Sequence, residues 1–418
     1  MCEDIIQLIM NPRAIACAAA LAVSVSCSPS SRAFETKLAI QPLNLPVAAG
    51  SAMPQLSVTG EHAIVSWIET AAIENAGSRA TLKFAERTPS GWSDARTVAS
   101  GTDWFVNWAD VPSVVRLADD TLAAHWLQTT DAANEAYDLR LSFSRDGGRT
   151  WTPPVSPHHD GTKTQHGFAS LFQMPGAGLG IIWLDGRALE LDKKSGSDNM
   201  SVRAAFFDRA GGQVSESLVD DRACDCCPTA VAITDDGPIA AYRDRSAGEV
   251  RDIATSRFAS GAWAAPVPVH ADGWTITACP VNGPAISARG RQVAVAWMTA
   301  RDDQGRAFAA FSRDAGATFG APIRLDDVGS LGRVGVELAD DGSAFASWIE
   351  FADGRGQFRI RRFDASGRRG PAQTVAGIES DRASGYPRLA RRGEELLLAW
   401  TEPAAGQSRV RTAAAPVR

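Results

Sequence analysis

The amino-acid sequence predicts an all-β chain of four-stranded units that close into a β-propeller with seven blades. Three observations carry this expectation. Apolar strands ending in an aromatic recur at Trp67, Trp126, Trp183, Tyr242, Trp297, Trp348 and Trp400, 51 to 59 residues apart, the self-similarity of a repeat architecture. Short runs with period-two alternation, separated by turns such as Asp119-Asp120 and Asp340-Asp341-Gly342, read as strands. Four such strands per unit, repeated in series, suit radial blades whose packing leaves only short, protected edges. Six blades is the alternative if one aromatic match is accidental. The ends fit a closed ring. The seventh unit stops after its third strand at residues 410–413, and an unpaired strand at residues 36–40 can complete it.

Composition places the chain among globular proteins: 418 residues, 44% hydrophobic, 22% charged, with a net charge of −6. A mild acidic balance without a basic tract gives no electrostatic footprint for nucleic acid or for a membrane surface. Near the N-terminus Arg13 precedes an apolar stretch at residues 14–25, followed by Ser26-Cys27-Ser28. A positive charge, a short apolar run and small residues at the cut fit a secretory signal, and the run is too short to span a bilayer. The small residues leading into Cys27 resemble a bacterial lipobox, whose cysteine is lipidated. Ser24 stands where Leu is commoner in that motif, so an ordinary signal peptide stays open. The expected order is a signal at 1–27, a linker at 28–35 and one propeller domain at 36–418. The expected setting is the periplasmic cell envelope of a bacterium, as a monomer whose only membrane contact is the lipid anchor.

Two turns identify the repeat more closely. Ser144-Arg145-Asp146-Gly147-Gly148-Arg149-Thr150-Trp151 matches S-x-D-x-G-x-T-W at every fixed position, and Ser312-Arg313-Asp314-Ala315-Gly316-Ala317-Thr318-Phe319 matches it with Phe for Trp. Both resemble the Asp-box of the sialidase and BNR-repeat superfamily, and the repeat resemblance covers almost all of the expected mature chain. The motif is structural: the Asp accepts backbone N–H bonds within the turn, Gly permits positive φ, and the aromatic anchors the hairpin. In the family these turns lie on the blade periphery, away from the active face.

Function is therefore expected in the loops that lead into each first strand or leave each second strand, which ring the central funnel. They hold Trp104 and Asp110 before unit two, His166 before unit three and Asp185 and Arg187 after its second strand. They also hold Arg243, Asp244 and Arg245 in unit four, Arg333 before unit six, and Tyr386, Arg388 and Glu402 in unit seven. Any one of these charges can equally tie neighbouring blades together. The resemblance implies six-bladed sialidases, with three arginines on a carboxylate, a Tyr nucleophile assisted by Glu, and an Asp acid. Guanidinium groups pair bidentately with carboxylate, and Tyr needs a base beside it to attack. Tyr386 and Glu402 match the late Tyr and Glu, Arg333 one triad arginine, and Glu337 or Glu350 the partner of the Tyr. The family's F-R-I-P segment is absent, with Ala52-Met53-Pro54 in its place, and Asp103 and Asp110 are substitute acids. The expected ligand is an acidic glycan or another small anion, either cleaved or merely bound.

Cys224-Asp225-Cys226-Cys227-Pro228 and Cys279-Pro280 fall outside the resemblance. Each precedes a first strand, in adjacent units. In an oxidising compartment a disulfide from Cys279 to one member of the cluster is the plain expectation. A soft-metal site for Cu(I) or Zn is the sharper one. No other cofactor is implied.

Overall fold

The structure, a computed structural model, describes residue 34 and residues 37–417 other than 75–76, 175, 177, 192–198 and 404–406. Cys27, the expected signal segment and most of the linker lie outside the described residues. Seven antiparallel sheets follow one another along the chain. Their first strands are Ser51–Thr59, Ser113–Arg116, His166–Gln173, Ala230–Thr234, Ala285–Arg289, Ser330–Leu338 and Arg388–Arg392. Each touches the next, and the seventh returns to the first, so the ring is a seven-bladed propeller around a channel of about 630 Å³. The outermost strand is irregular in three blades. Blade 2 keeps only a bridge between Leu141 and Val155, and blades 1 and 4 split the strand into two short pieces.

All seven repeating aromatics stand on second strands, and all are buried. A second strand is covered on both faces by neighbouring sheets, so it reads as a continuous apolar run; every residue of Leu179–Asp185 is buried. A buried indole N–H or phenol still needs an acceptor. Trp67, Trp183 and Trp348 donate to the carboxylates two residues ahead, Glu69, Asp185 and Glu350, at 2.9, 2.8 and 3.0 Å. Trp297 and Tyr242 reach Asp272 and Asp220, both at 2.7 Å. Carboxylates at the ends of second strands thus belong to the repeat itself.

The last blade closes as the ends of the sequence suggest, with a shift. Residues Gln41–Leu43 pair antiparallel with Arg409–Pro416, a few residues beyond the expected 36–40. Upstream of that ladder Leu38 and Ile40 turn their side chains onto the core between blades 6 and 7, and the Leu38 backbone bonds to the Gln373 side chain instead of to a strand.

The two Ser-x-Asp turns leave the third strands of blades 2 and 5 and share one hydrogen-bond pattern. Asp146 accepts from the backbone and hydroxyl of Thr150 at 2.9 and 2.7 Å, and the Gly148 N–H donates to Ser144 Oγ at 2.8 Å. Asp314, Thr318, Gly316 and Ser312 repeat this at 2.9, 2.7 and 2.9 Å. Hydrogen bonds from Ser312 and Thr318 hold the Asp314 carboxyl far below the usual carboxylate range. A depressed carboxyl pKa stabilises the fold above the unfolded value and loses that contribution as pH falls through the folded value. Asp314→Ala is expected to lower the urea midpoint modestly at neutral pH, with the gap to the parent chain closing under strong acid.

Candidate functional site

Loops that lead into first strands or join strands two and three share the upper face; the Ser-x-Asp turns lie at the lower one. At the upper mouth of the channel Trp108 and Tyr386 stack, with ring centroids 5.9 Å apart. Three guanidinium groups gather on this pair. Arg333 lies 4.7 Å and Arg382 5.9 Å from the Trp108 ring, and Arg388 lies 5.3 Å from the Tyr386 ring. The Arg333 side chain donates to the Gly385 carbonyl at 3.0 Å, and that of Arg388 to the Pro54 carbonyl at 3.2 Å. None of the three pairs with a carboxylate among the described residues. Burial accordingly lowers the pKa of Arg333 and pulls that of Arg388 down to about 10. Arg382 is exposed and Asp381 acts favourably on Arg333, but Arg333 and Arg388 are desolvated cations without an ion pair among the described residues, an arrangement that is costly and that an anion would relieve. Backbone strain accompanies it. Arg333 has φ 54°, and Met53, Phe168 and Val281, each in or just before a first strand, have φ 57°, 51° and 47°; for β-branched Val281 this is a genuine outlier.

Tyr386 is buried, its hydroxyl donating to the Val281 carbonyl. Burial, followed by the nearby Cys227, drives the phenol pKa up against the pull of Arg333. Asp110 sits two residues from Trp108. Its carboxylate accepts from the Phe168 N–H at 2.7 Å and the Tyr137 hydroxyl at 3.4 Å, and burial pushes it up to about 7. A carboxyl raised in the folded state keeps its proton where the unfolded chain has lost it, so stability falls as pH climbs from the usual carboxylate range through about 7. Glu337, in the channel wall and bonded to Ser287, is also raised to about 7 by burial and adds to the same trend. Asp110→Asn is expected to flatten the drop in unfolding temperature between about pH 5 and about pH 8; an unchanged slope would show that Asp110 does not titrate there.

The other expected site residues go elsewhere. Glu402 is partly exposed and pairs with Arg411 at 2.6 Å, sharing no bond with Tyr386. Glu350 receives the Trp348 indole. Asp185 accepts the Trp183 indole and both arms of Arg187, at 2.7 and 2.8 Å, and Arg187 also reaches Glu216. Arg245 pairs with Glu249, and Asp244 accepts from the Arg245 backbone, its carboxyl raised to about 6 by burial. Trp104 stacks on Trp126 at 5.4 Å rather than facing the mouth. Arg243 is buried, and its hydrogen bonds run to the Asn282, Arg251 and Met298 carbonyls. Of Arg187, Arg243, Arg245, Arg333 and Arg388, the mouth thus gathers Arg333 and Arg388. Arg382 completes the group, and no sequence pattern marks it.

His166 is fully buried and stacks on His158, with ring centroids 3.8 Å apart and planes 8° from parallel. Asp160 and Asp138 stand at opposite edges of the pair, 3.2 and 3.6 Å from the His166 nitrogens. Burial opposes the His166 cation, but Asp160, Asp185 and Asp138 outweigh it and raise the pKa. Neither His166 nitrogen makes a hydrogen bond of good geometry among the described residues, and Asp138, His158 and His166 offer ligand atoms within 4.8 Å of one another.

The four described cysteines stand as free cysteines, and the structure does not show the disulfide expected from Cys279. Cys224 Sγ lies 3.2 Å from Cys227 Sγ and 3.9 Å from Cys226 Sγ, outside the S–S bond length of about 2 Å. Thiol hydrogen bonds from Cys226 and Cys227 hold Cys224 well below its ordinary range. The Arg251 guanidinium reaches its sulfur at 3.4 Å and Asp225 at 3.1 Å. Cys279 is exposed and grouped with Cys226 and Asp225.

No protein-family model matches the chain, and no curated protein does either. Solved structures do resemble it. A protein of unknown function from Dyadobacter fermentans is 12% identical, covering 91% of this chain and 99% of its own, with a TM-score of 0.53. The polysaccharide lyase Uly1 is 10% identical, covering 89% and 91%, with a TM-score of 0.52. A GH93 α-L-arabinofuranosidase of Fusarium graminearum with arabinobiose is 14% identical, covering 76% and 95%, with a TM-score of 0.50. At such identities the likeness is one of fold: a propeller shared along most of the chain.

Proposed function

We propose that the chain is an exported propeller that binds an acidic glycan at the upper mouth, its carboxylate held by Arg333, Arg382 and Arg388. The observation that carries this reading is the gathering of these three guanidinium groups on Trp108 and Tyr386 with no carboxylate paired to them among the described residues. Guanidinium forks are suited to carboxylate. Two of the similar folds are named for enzymes that act on glycans, one a lyase and one crystallised with a sugar, which supports a sugar polymer as the source of the anion.

Binding without hydrolysis is the better-supported form. A nucleophilic Tyr needs a base against its hydroxyl, whereas Tyr386 spends its proton on a backbone carbonyl and Glu402 points away with Arg411. Calorimetric titration of the full chain with sialyllactose and with uronate oligosaccharides tests the proposal. Saturable binding to at least one is expected, weakened about tenfold or more in Arg382→Ala, which removes a charged contact. Equal affinity for neutral arabinobiose would sink it. Sugar release abolished by Tyr386→Phe would replace binding with catalysis by Tyr386, Arg333 and Asp110.

A further inference from the structure

We propose that Cys224, Cys226 and Cys227 bind one Cu(I) ion as a buried tris-thiolate, a site independent of the arginine mouth. Every pair of these sulfurs lies within 4.8 Å. Three sulfurs about 2.3 Å from a common ion in their plane stand about 4 Å apart. The Cys224–Cys226 separation of 3.9 Å already has that value, and the 3.2 Å to Cys227 needs only a small opening. Cys224 and Cys227 are sealed from solvent while Cys226 is half-buried, so an ion has a side from which to arrive.

The charges around the cluster favour an anionic complex. Cu(I) with three thiolates carries two negative charges, and two buried guanidinium groups stand beside it. Arg251 donates to Cys224 Sγ at 3.4 Å while pairing with Glu249 and Asp225 at 2.9 and 3.1 Å, so Arg243 is the cation left for an anionic complex to offset. Arg243, stacked 4.9 Å from Trp274, has no carboxylate partner among the described residues, and its backbone carbonyl accepts from the Cys224 N–H at 2.9 Å, which places it against the cluster. A buried cation of this kind is stabilised by an anion beside it, and the three-thiolate complex supplies one next to Arg243.

Coordination number selects the metal. Thiolates prefer soft ions, and Zn(II) asks for four tetrahedral ligands. The remaining sulfur, on Cys279, groups with Asp225 and Cys226 but not with Cys224 and Cys227. Three sulfurs around one point suit Cu(I), whose binding releases the thiol protons to water.

The test uses the full chain purified anaerobically after reduction and titrated with Cu(I) against bicinchoninate, following the chelate colour and the ultraviolet thiolate-to-copper absorption. One Cu(I) per chain is expected. Cys226→Ser, at the half-buried position, should lower the affinity by roughly a hundredfold or more at unchanged unfolding temperature, while Cys279→Ser keeps both stoichiometry and affinity. No copper taken from the chelator, Cys226→Ser binding as tightly as the parent, or a requirement for Cys279 would each overturn the proposal. So would Zn(II) outcompeting Cu(I), or an untreated chain lighter by two hydrogens that stays so under mild reductant. If Cu(I) binding survives Arg382→Ala, the two sites are separate; loss of glycan binding alone leaves the copper site standing.

Discussion

Trp348→Ala is expected to remove about 3–5 kcal/mol of stability, the range for emptying a buried Trp site. The side chain is fully buried in the second strand of blade 6, among residues from blades 5 and 6. Its indole donates to Glu350 at 3.0 Å, and Arg361 lies 5.4 Å above the ring. Truncation opens a cavity and also leaves the buried Glu350 carboxylate short of a donor, so transfer and polar terms add. Trp400 provides the contrast. It is 9% exposed and its indole nitrogen has no partner among the described residues, so Trp400→Ala should cost less. Urea unfolding followed by circular dichroism would measure both, and equal losses would show that the indole–carboxylate bond adds nothing.

Gly283→Ala is expected to damage fold and sites together. A Cβ at this position would stand 2.0 Å from the Pro228 carbonyl oxygen, 2.8 Å from its carbon and 3.0 Å from its nitrogen. All three are backbone atoms, so no side chain can rotate away, and overpacking of this sort costs about 1–3 kcal/mol or more. The neighbouring Asn282 accepts two hydrogen bonds from Arg243 with its carbonyl, at 2.9 and 2.7 Å, and one from the Arg333 N–H with its side chain, at 2.8 Å. Pro228 directly follows Cys227. One added methyl group is therefore expected to lower the unfolding temperature, weaken anion binding at the mouth and weaken Cu(I) binding. Thermal unfolding and the two titrations read the three effects, and a variant unchanged in all three would refute the wedge.

The blade pattern was legible because each unit must give the inter-blade core one large side chain at a fixed place, and seven Trp or Tyr residues mark it. The Ser-x-Asp turns were legible because their bonds are local. The site was harder. Asp185 and Glu402 end second strands at the funnel face and Asp244 directly follows one, where a ligand-binding carboxylate and one that serves the repeat look alike in sequence. Only the Trp183 N–H on Asp185 and Arg411 on Glu402 tell them apart. Trp104 and Trp108 lie four residues apart in one segment, and what separates them is the distant partner each stacks on, Trp126 or Tyr386. Arg382 stands in a single 3₁₀ turn, Arg382–Ser384, which carries no periodic signal. His158 likewise gains meaning only from the His166 ring against it.

The closing strand has a consequence for how the molecule is presented. Gln41–Leu43 runs antiparallel to the last strand, and Phe34 packs beneath Arg368 and Arg362, 3.7 and 5.3 Å from their guanidinium carbons, at the end of the third strand of blade 6. The chain thus rises into the ring from the face that carries the Ser-x-Asp turns. Anything that grips the segment upstream of Phe34 holds the propeller like a cup on its stem. The arginine rim then points away from the holder, open to ligands too long to pass beneath it.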